Sequence, residues 1–254
     1  MPALPIEFPF PLYHGTSTIW KKSILTHGLG GRKIVQELRA LEFFREARAH
    51  IESMPENVRP EVSQTVLDLI ANQAVSEGGF NYRHNGLYLT PNRSAALRYA
   101  HNSFGSELVT ECHRLYESIL ARQAPPAWAE AYMDLAAVFR TSGQPLLIRI
   151  NDVRCADLAD EKGGAADKKI TLLLNLIEKE EKRRKDADEL QRLAKEGNLE
   201  AITTMFTTPP EAIMTREVIT QELGNVFNFE SRAVYPASKI SFETPLQEPK
   251  NAGY

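Results

Sequence analysis

Three runs, far apart in the chain, carry side chains that could do chemistry: Leu12-Tyr13-His14-Gly15-Thr16-Ser17, Gly86-Leu87-Tyr88-Leu89-Thr90 and the stretch from Val226 to Tyr235 that alternates around Glu230. In each, the apolar residues read as a strand and the polar or aromatic residue falls at or near its end. A histidine and a carboxylate can hold or move a proton and oppose a developing positive charge. A tyrosine ring offers a flat face, where offset stacking contributes about 0.5 to 1.5 kcal/mol. Gly15, directly after His14, lets the backbone approach a ligand closely. Each residue taken alone is equally at home in a structural role, the histidine as a hydrogen-bonding strand end and the tyrosine as a core ring with a satisfied hydroxyl. Their chemistry therefore depends on whether the chain brings the three runs together.

The elements that must do so follow in order. Prolines at 9 and 11 bias Phe8 and Phe10 away from the helical region, so residues 8–13 are extended. Thr16, Ser17 or Thr18 can cap a helix over 19–26, apolar at Ile19, Ile24 and Leu25 and stopped by Gly28. Residues 33–51 repeat apolar positions at helical steps (Val35, Leu38, Leu41, Phe44, Ala47), Pro55 and Pro60 break the pattern, and 62–74 resume it up to Gly78-Gly79. Residues 85–94 read as strand, turn and the cap of a helix carrying Ala95, Ala96, Leu97, Tyr99 and Ala100. Helices over 107–122 and 128–140 flank Pro125-Pro126, and Leu146-Leu147-Ile148-Arg149-Ile150 is the most strand-like run in the chain.

After the loop at Gly163-Gly164, a long helix is predicted over 168–195, apolar at Ile170, Leu173, Leu174 and Ile177 and then densely charged. Its run of mixed signs from Glu178 to Lys185 reads as a solvated face rather than a nucleic-acid contact, because interleaved carboxylates weaken phosphate attraction. Helices over 199–206 and 210–223 lead to strands over 226–235 and 239–242, and the polar residues 244–254 read as a flexible tail.

Composition bounds the function class. An apolar fraction of 43% and a charged fraction of 25% are those of an ordinary globular protein, and a net charge of -3 provides no global field for a polyanion, leaving only a local basic face. Cys112 and Cys155 have no nearby Cys or His at zinc-ligand spacing, which fits a reducing cytoplasm and predicts neither disulfides nor a metal. No run approaches the roughly 18 apolar residues of a membrane span, so no membrane partner is expected.

The order H-G-T, then G-L-Y-L-T before a helix bearing a further tyrosine, then a late strand with a glutamate, resembles the His-Tyr-Glu class of ADP-ribosyltransferases, the poly- and mono-ADP-ribose polymerase-like group that includes bacterial toxins. Tyr13-His14-Gly15-Thr16-Ser17 with Ile24 and Gly28-Leu29 is similar to that family's first motif, and Gly86-Leu87-Tyr88-Leu89 with Ala95, Ala96 and Tyr99 to its second. The match covers about a quarter of the chain. The third motif resembles Glu230-Ser231-Arg232-Ala233-Val234-Tyr235 with a one-residue offset, since alignment on Val234-Tyr235 puts Ser231 in the place of the glutamate. Glu230 is chosen because the chemistry needs an ionised acceptor; Glu222 and Glu243 are its rivals.

The resemblance implies an α+β fold with an ADP-ribosyltransferase-like split sheet and large helical insertions at about 33–75, 105–140 and 168–223, all in one catalytic domain over 1–243. It implies NAD as co-substrate, no metal, and transfer of one ADP-ribose to a macromolecular acceptor, nucleic acid or protein. His14 would hold a ribose hydroxyl, Gly15 and Thr16 would belong to the NAD site, Tyr88 and Tyr99 would sandwich the nicotinamide, and Glu230 would serve as the catalytic carboxylate. Arg93 or Arg98 could meet the pyrophosphate. His84 stays ambiguous, and His27, His50, His101 and His113 read as surface or packing residues. A toxin or defence effector held by an antitoxin or other regulator would fit. The alternatives are an NAD-dependent RNA 2′-phosphotransferase, for which Arg32 would read phosphate, and a catalytically silent binding module, which the Ser231 offset would favour.

Overall fold

The computed structural model describes residues 4–73, 86–101, 104–160, 164–196 and 228–243. Helix and strand mix in an α+β arrangement with two small antiparallel sheets. The first sheet has the order β1 (Leu12–Ser17), β3 (Pro145–Ile150), β6 (Ile240–Glu243). The second has the order β2 (Leu87–Leu89), β5 (Phe229–Ser231), β4 (Leu158–Asp160). They touch edge to edge at one place, where Tyr13 and Thr90 exchange both backbone hydrogen bonds at 2.8 and 3.0 Å.

Strand alternation decides what each face holds. Leu12, His14 and Thr16 share a face with their partners Ile150, Ile148 and Leu146. Leu12, Ile148 and Ile150 meet Leu87, Leu89, Phe229 and Leu158 of the second sheet in one core. The helices α1 (Lys21–His27) and α8 (Asp167–Lys195) close that core with Ile24, Ile170 and Leu173, the last two on the apolar stripe the sequence predicts. The opposite face of the first sheet is covered at Gly15 by α5 (Arg93–Ala100), which Asn92 caps through its side-chain oxygen to the Ala95 N–H at 3.0 Å. An extended N-terminal strap runs behind the second sheet, Phe8 donating its N–H to the Val153 carbonyl at 2.6 Å and packing edge-on against Phe229 at 5.6 Å.

The chain's two large excursions build a second core of their own. α2 (Ile34–Glu37), α3 (Ala40–Ser53) and α4 (Gln64–Ala71) lie between β1 and β2, while α6 (Glu107–Leu120) and α7 (Met133–Phe139) lie between α5 and β3. Phe43 is the hub of this core, with Tyr116, Trp128, Tyr132 and Phe139 edge-on around it at 5.3 to 5.8 Å. The two cores are joined at the end of β1: Trp20 Nε1–H donates to the Phe104 carbonyl at 2.7 Å, and Gly105 lies against Thr16 and Ser17.

Several expectations are corrected. No hydroxyl at 16–18 caps the next helix: Trp20 occupies the cap position of α1 without a side-chain bond, and Thr18 Oγ1 accepts from the Gln144 N–H instead. The helix expected over 33–51 is two helices, because Arg39 adopts a left-handed conformation with its guanidinium over the Tyr132 ring at 4.8 Å. Among the described residues of the strand expected over 226–235, Phe229–Ser231 is regular strand, after which the chain turns and Tyr235 pairs with Leu29. β4 has no counterpart in the sequence reading, being three residues long. The helices expected over 199–206 and 210–223, the stop at Gly78-Gly79 and the tail over 244–254 lie outside the described residues. No helix among the described residues is long and apolar enough to cross a membrane.

Candidate active site

The site lies where the two sheets part. Since Tyr13 spends its N–H and C=O on Thr90, alternation turns the same groups of Gly15 away from β3 and toward the side where β2 has diverged. The same alternation directs the Tyr88 backbone groups toward β1. A continued ladder would set Gly15 against Tyr88. Instead the His14 imidazole fills the gap, its Nδ1 lying 3.0 Å from the Tyr88 carbonyl oxygen.

A carbonyl only accepts, so His14 Nδ1 carries the proton. Burial holds the imidazole below its ordinary range, against a smaller opposing effect of the Tyr88 hydrogen bond, and the ring is neutral at pH 7. The consequence is a defined tautomer: Nε2 is bare and accepts a hydrogen bond, as from a sugar hydroxyl.

Tyr88 stands directly opposite Glu230 in the β2–β5 register. The backbone groups of Tyr88 face β1, while Arg232, two residues beyond Glu230, donates to the Asp157 carbonyl beside β4. Tyr88 and Glu230 are therefore a non-hydrogen-bonded pair, the arrangement that sets Cβ atoms closest, at about 4.5 to 5.5 Å. Both are half-buried. Gly86 lies one pleat before Tyr88 on the same face, and the Glu230 side chain crosses it: a methyl group there would stand 2.9 Å from Oε1 and 3.0 Å from Cγ. Sequence reading quotes Gly86 only as part of a motif. The signal that finds its role is period-two spacing to Tyr88 combined with the register to Glu230.

Ser231 turns the other way. It is 8% exposed, its hydroxyl is bonded to the Tyr235 hydroxyl at 2.8 Å, and it also accepts from the Ala233 N–H at 3.2 Å. Glu243 lies across Leu147 on the face opposite His14, where it receives Arg93 Nε at 2.8 Å. Glu222 and His84 lie outside the described residues. Of the described rivals, the register brings Glu230 beside Tyr88, Ser231 points to the other face of β5, and Glu243 lies in the other sheet and is held by Arg93.

The remaining candidates divide between site and scaffold. Thr16 is 3% exposed and its hydroxyl donates to the Gly105 carbonyl at 3.4 Å, a structural use. The missing side chain of Gly15 is required by packing: a methyl group would sit 1.8 Å from the Ala96 carbonyl oxygen, so α5 rather than open space occupies that direction. Gly15 is buried, and strand alternation points its backbone groups toward the β2 side. Tyr99, one residue before the Ala100 that abuts Gly15, is 46% exposed on α5, and Arg98 is exposed beside it. Arg93 is held by Glu243, and Arg32 by Glu37. His113 packs against Phe104 and Phe139, and His50 meets Gln123 and Trp128, as packing residues do. Among the described residues no group of three or more His, Cys, Asp and Glu side chains is placed to hold a metal ion.

A search of this chain against protein-family models, curated proteins and solved structures returns no match. The functional reading rests on the site itself.

Proposed function

We propose that the protein is an NAD-dependent mono-ADP-ribosyltransferase acting on a macromolecular acceptor, with the site at the parting of β1 and β2. The observation that carries this reading is the convergence of three residues separated by 74 and 142 positions: His14 bonds the Tyr88 carbonyl, and Tyr88 is the cross-strand partner of Glu230. The split sheet, two three-stranded sheets joined by one bridge, supports it as the scaffold expected of that family.

The reaction breaks the bond between the ribose anomeric carbon and the nicotinamide nitrogen, and the electron pair leaves with nicotinamide. Positive charge develops on the ribose ring, and catalysis requires groups placed where it forms. The neutral His14 Nε2 accepts from a ribose hydroxyl and fixes the sugar. The Gly15 N–H and C=O, free of the β3 ladder, suit an amide that presents one donor and one acceptor. The Tyr88 ring provides a stacking face, and the exposed Tyr99 a second ring that ligand binding can recruit. Glu230 opposes the developing charge and takes the proton of the acceptor nucleophile as it attacks the anomeric carbon.

The test is nicotinamide release from NAD by the purified chain, beside Glu230→Ala and with RNA, DNA and protein each supplied as acceptor. Loss of one preorganised contact of this kind costs about 3 to 4 kcal/mol, so release should fall roughly 100- to 1000-fold in Glu230→Ala. Release that survives the substitution rejects Glu230, and absence of release with every acceptor rejects the enzyme.

A further inference from the structure

The charge of the chain is unevenly placed. The segments that build the site and its flank, residues 12–33, 86–101 and 228–243, hold eight Lys and Arg against two Asp and Glu, while the other residues hold 22 against 31. Those two carboxylates are Glu230, in the site, and Glu243, which is paired with Arg93. Arg32 is paired with Glu37. Lys21, Lys22, Lys33, Arg98 and Lys239 have no carboxylate partner among the described residues, and all five are exposed.

Four of the five gather on one flank. Lys21 and Lys22 open α1, which packs on the 3-10 turn Ala237–Lys239, and Lys21 Nζ lies 5.1 Å from the Phe242 ring just beyond that turn. The glycine turn that leads from α1 to Lys33 is stapled to the continuation of β5 by the Leu29–Tyr235 bridge, with Gly28 against the Tyr235 backbone. This flank therefore begins five residues beyond Glu230 on the same segment. NAD brings two phosphates of its own, fewer than the cations available. An excess of exposed lysines without carboxylate partners on adjoining segments is suited to a row of phosphates, while the acidic remainder of the chain repels such a strand elsewhere and orients it.

We infer that the acceptor is a nucleic-acid strand, docked by its phosphates on the flank formed by α1, Lys33 and the turn at Lys239. This rests on the transferase reading for the chemistry, but the docking is measurable without it. Anisotropy of labelled single-stranded RNA and DNA of about 20 nucleotides should report binding by the full chain that weakens with salt, each lysine contact contributing roughly 0.7 to the log-log slope. The triple variant Lys22→Glu, Lys33→Glu, Lys239→Glu, which leaves the packed Lys21 in place, should bind at least about tenfold more weakly and lose about two from that slope. Label transfer from NAD to the preferred strand should fall in parallel, while nicotinamide release to water and the thermal midpoint stay at wild-type values. Whichever strand is bound and labelled names the acceptor as RNA or DNA. Equal binding by wild type and triple variant, or label found on protein instead, overturns the inference. If no nicotinamide is released under any condition, the transferase reading fails, and the binding comparison still decides the docking surface by itself.

Discussion

Substitution of Gly86 by alanine should separate activity from stability. The new methyl would lie 2.9 Å from Glu230 Oε1, 3.0 Å from Cγ and 3.1 Å from Cδ, against the 3.4 to 4 Å of ordinary contact. The backbone can accept the change, since Gly86 is not among the glycines with positive φ. The obstructed atoms belong to a flexible, half-buried side chain, so the Glu230 carboxylate must swing aside by about 0.5 Å, and repacking of that kind costs on the order of 1 kcal/mol. Reduced freedom of the unfolded chain offsets this by about 0.4 to 1 kcal/mol. The thermal midpoint should therefore move by only a few degrees. Misplacement by about 1 Å costs on the order of 100-fold in rate, so a shift about half as large should cost roughly 10-fold, about 1.4 kcal/mol. The assay is kcat/KM for nicotinamide release in Gly86→Ala, Glu230→Ala and the double variant. If Gly86 acts by giving Glu230 its room, the double variant should be no worse than Glu230→Ala alone. Full activity in Gly86→Ala, or losses that add, would refute the placement of the carboxylate.

Two further outcomes follow from the same geometry. Gly15→Ala drives a methyl to 1.8 Å from the Ala96 carbonyl and 2.7 Å from the Ala100 nitrogen, both backbone atoms of α5, so the helix must leave β1. Destabilisation of about 3 kcal/mol or more is expected in denaturant melts, in contrast to the near-neutral Gly86→Ala. His14 is held neutral by burial, so between its depressed native value and about 6.5 the unfolded chain binds a proton that the folded chain does not. Stability should rise with pH across that window and fall as pH drops through it, and His14→Gln should lose this part of the slope in urea titrations compared at pH 5 and pH 7.

Much of the scaffold is written in local pattern. β1, β3 and the apolar stripe of α8 follow directly from run length and helical spacing, and Asn92 caps α5 as its residue type suggests. What local pattern omits are events decided by distant partners. Arg39 breaks a helix because the Tyr132 ring, 93 residues on, receives its guanidinium. Thr16 abandons capping because Gly105 arrives beside it. The site divides in the same way. Residue types pointed to His14, Tyr88 and Glu230, but choosing Glu230 over Ser231 required faces and register, which a one-residue shift inverts, and setting Glu243 aside required its Arg93 partner. Gly86 gained its role from the same register.

The two excursions that form the Phe43 core leave the sheets at different points, one after β1 and one after α5, yet each supplies half of the same interior. The inner surfaces of α3 and α6 are packed on one another, with Phe43 of the first half ringed by Tyr116, Trp128, Tyr132 and Phe139 of the second. Trimming residues 34–71 alone would expose the inner surface of α6 and α7, and trimming 107–139 alone would strand Phe43, so a minimal version of this chain must lose both excursions together or keep both. The joint at Trp20 and Gly105 marks where such a cut would have to be sealed, immediately downstream of the strand that carries His14.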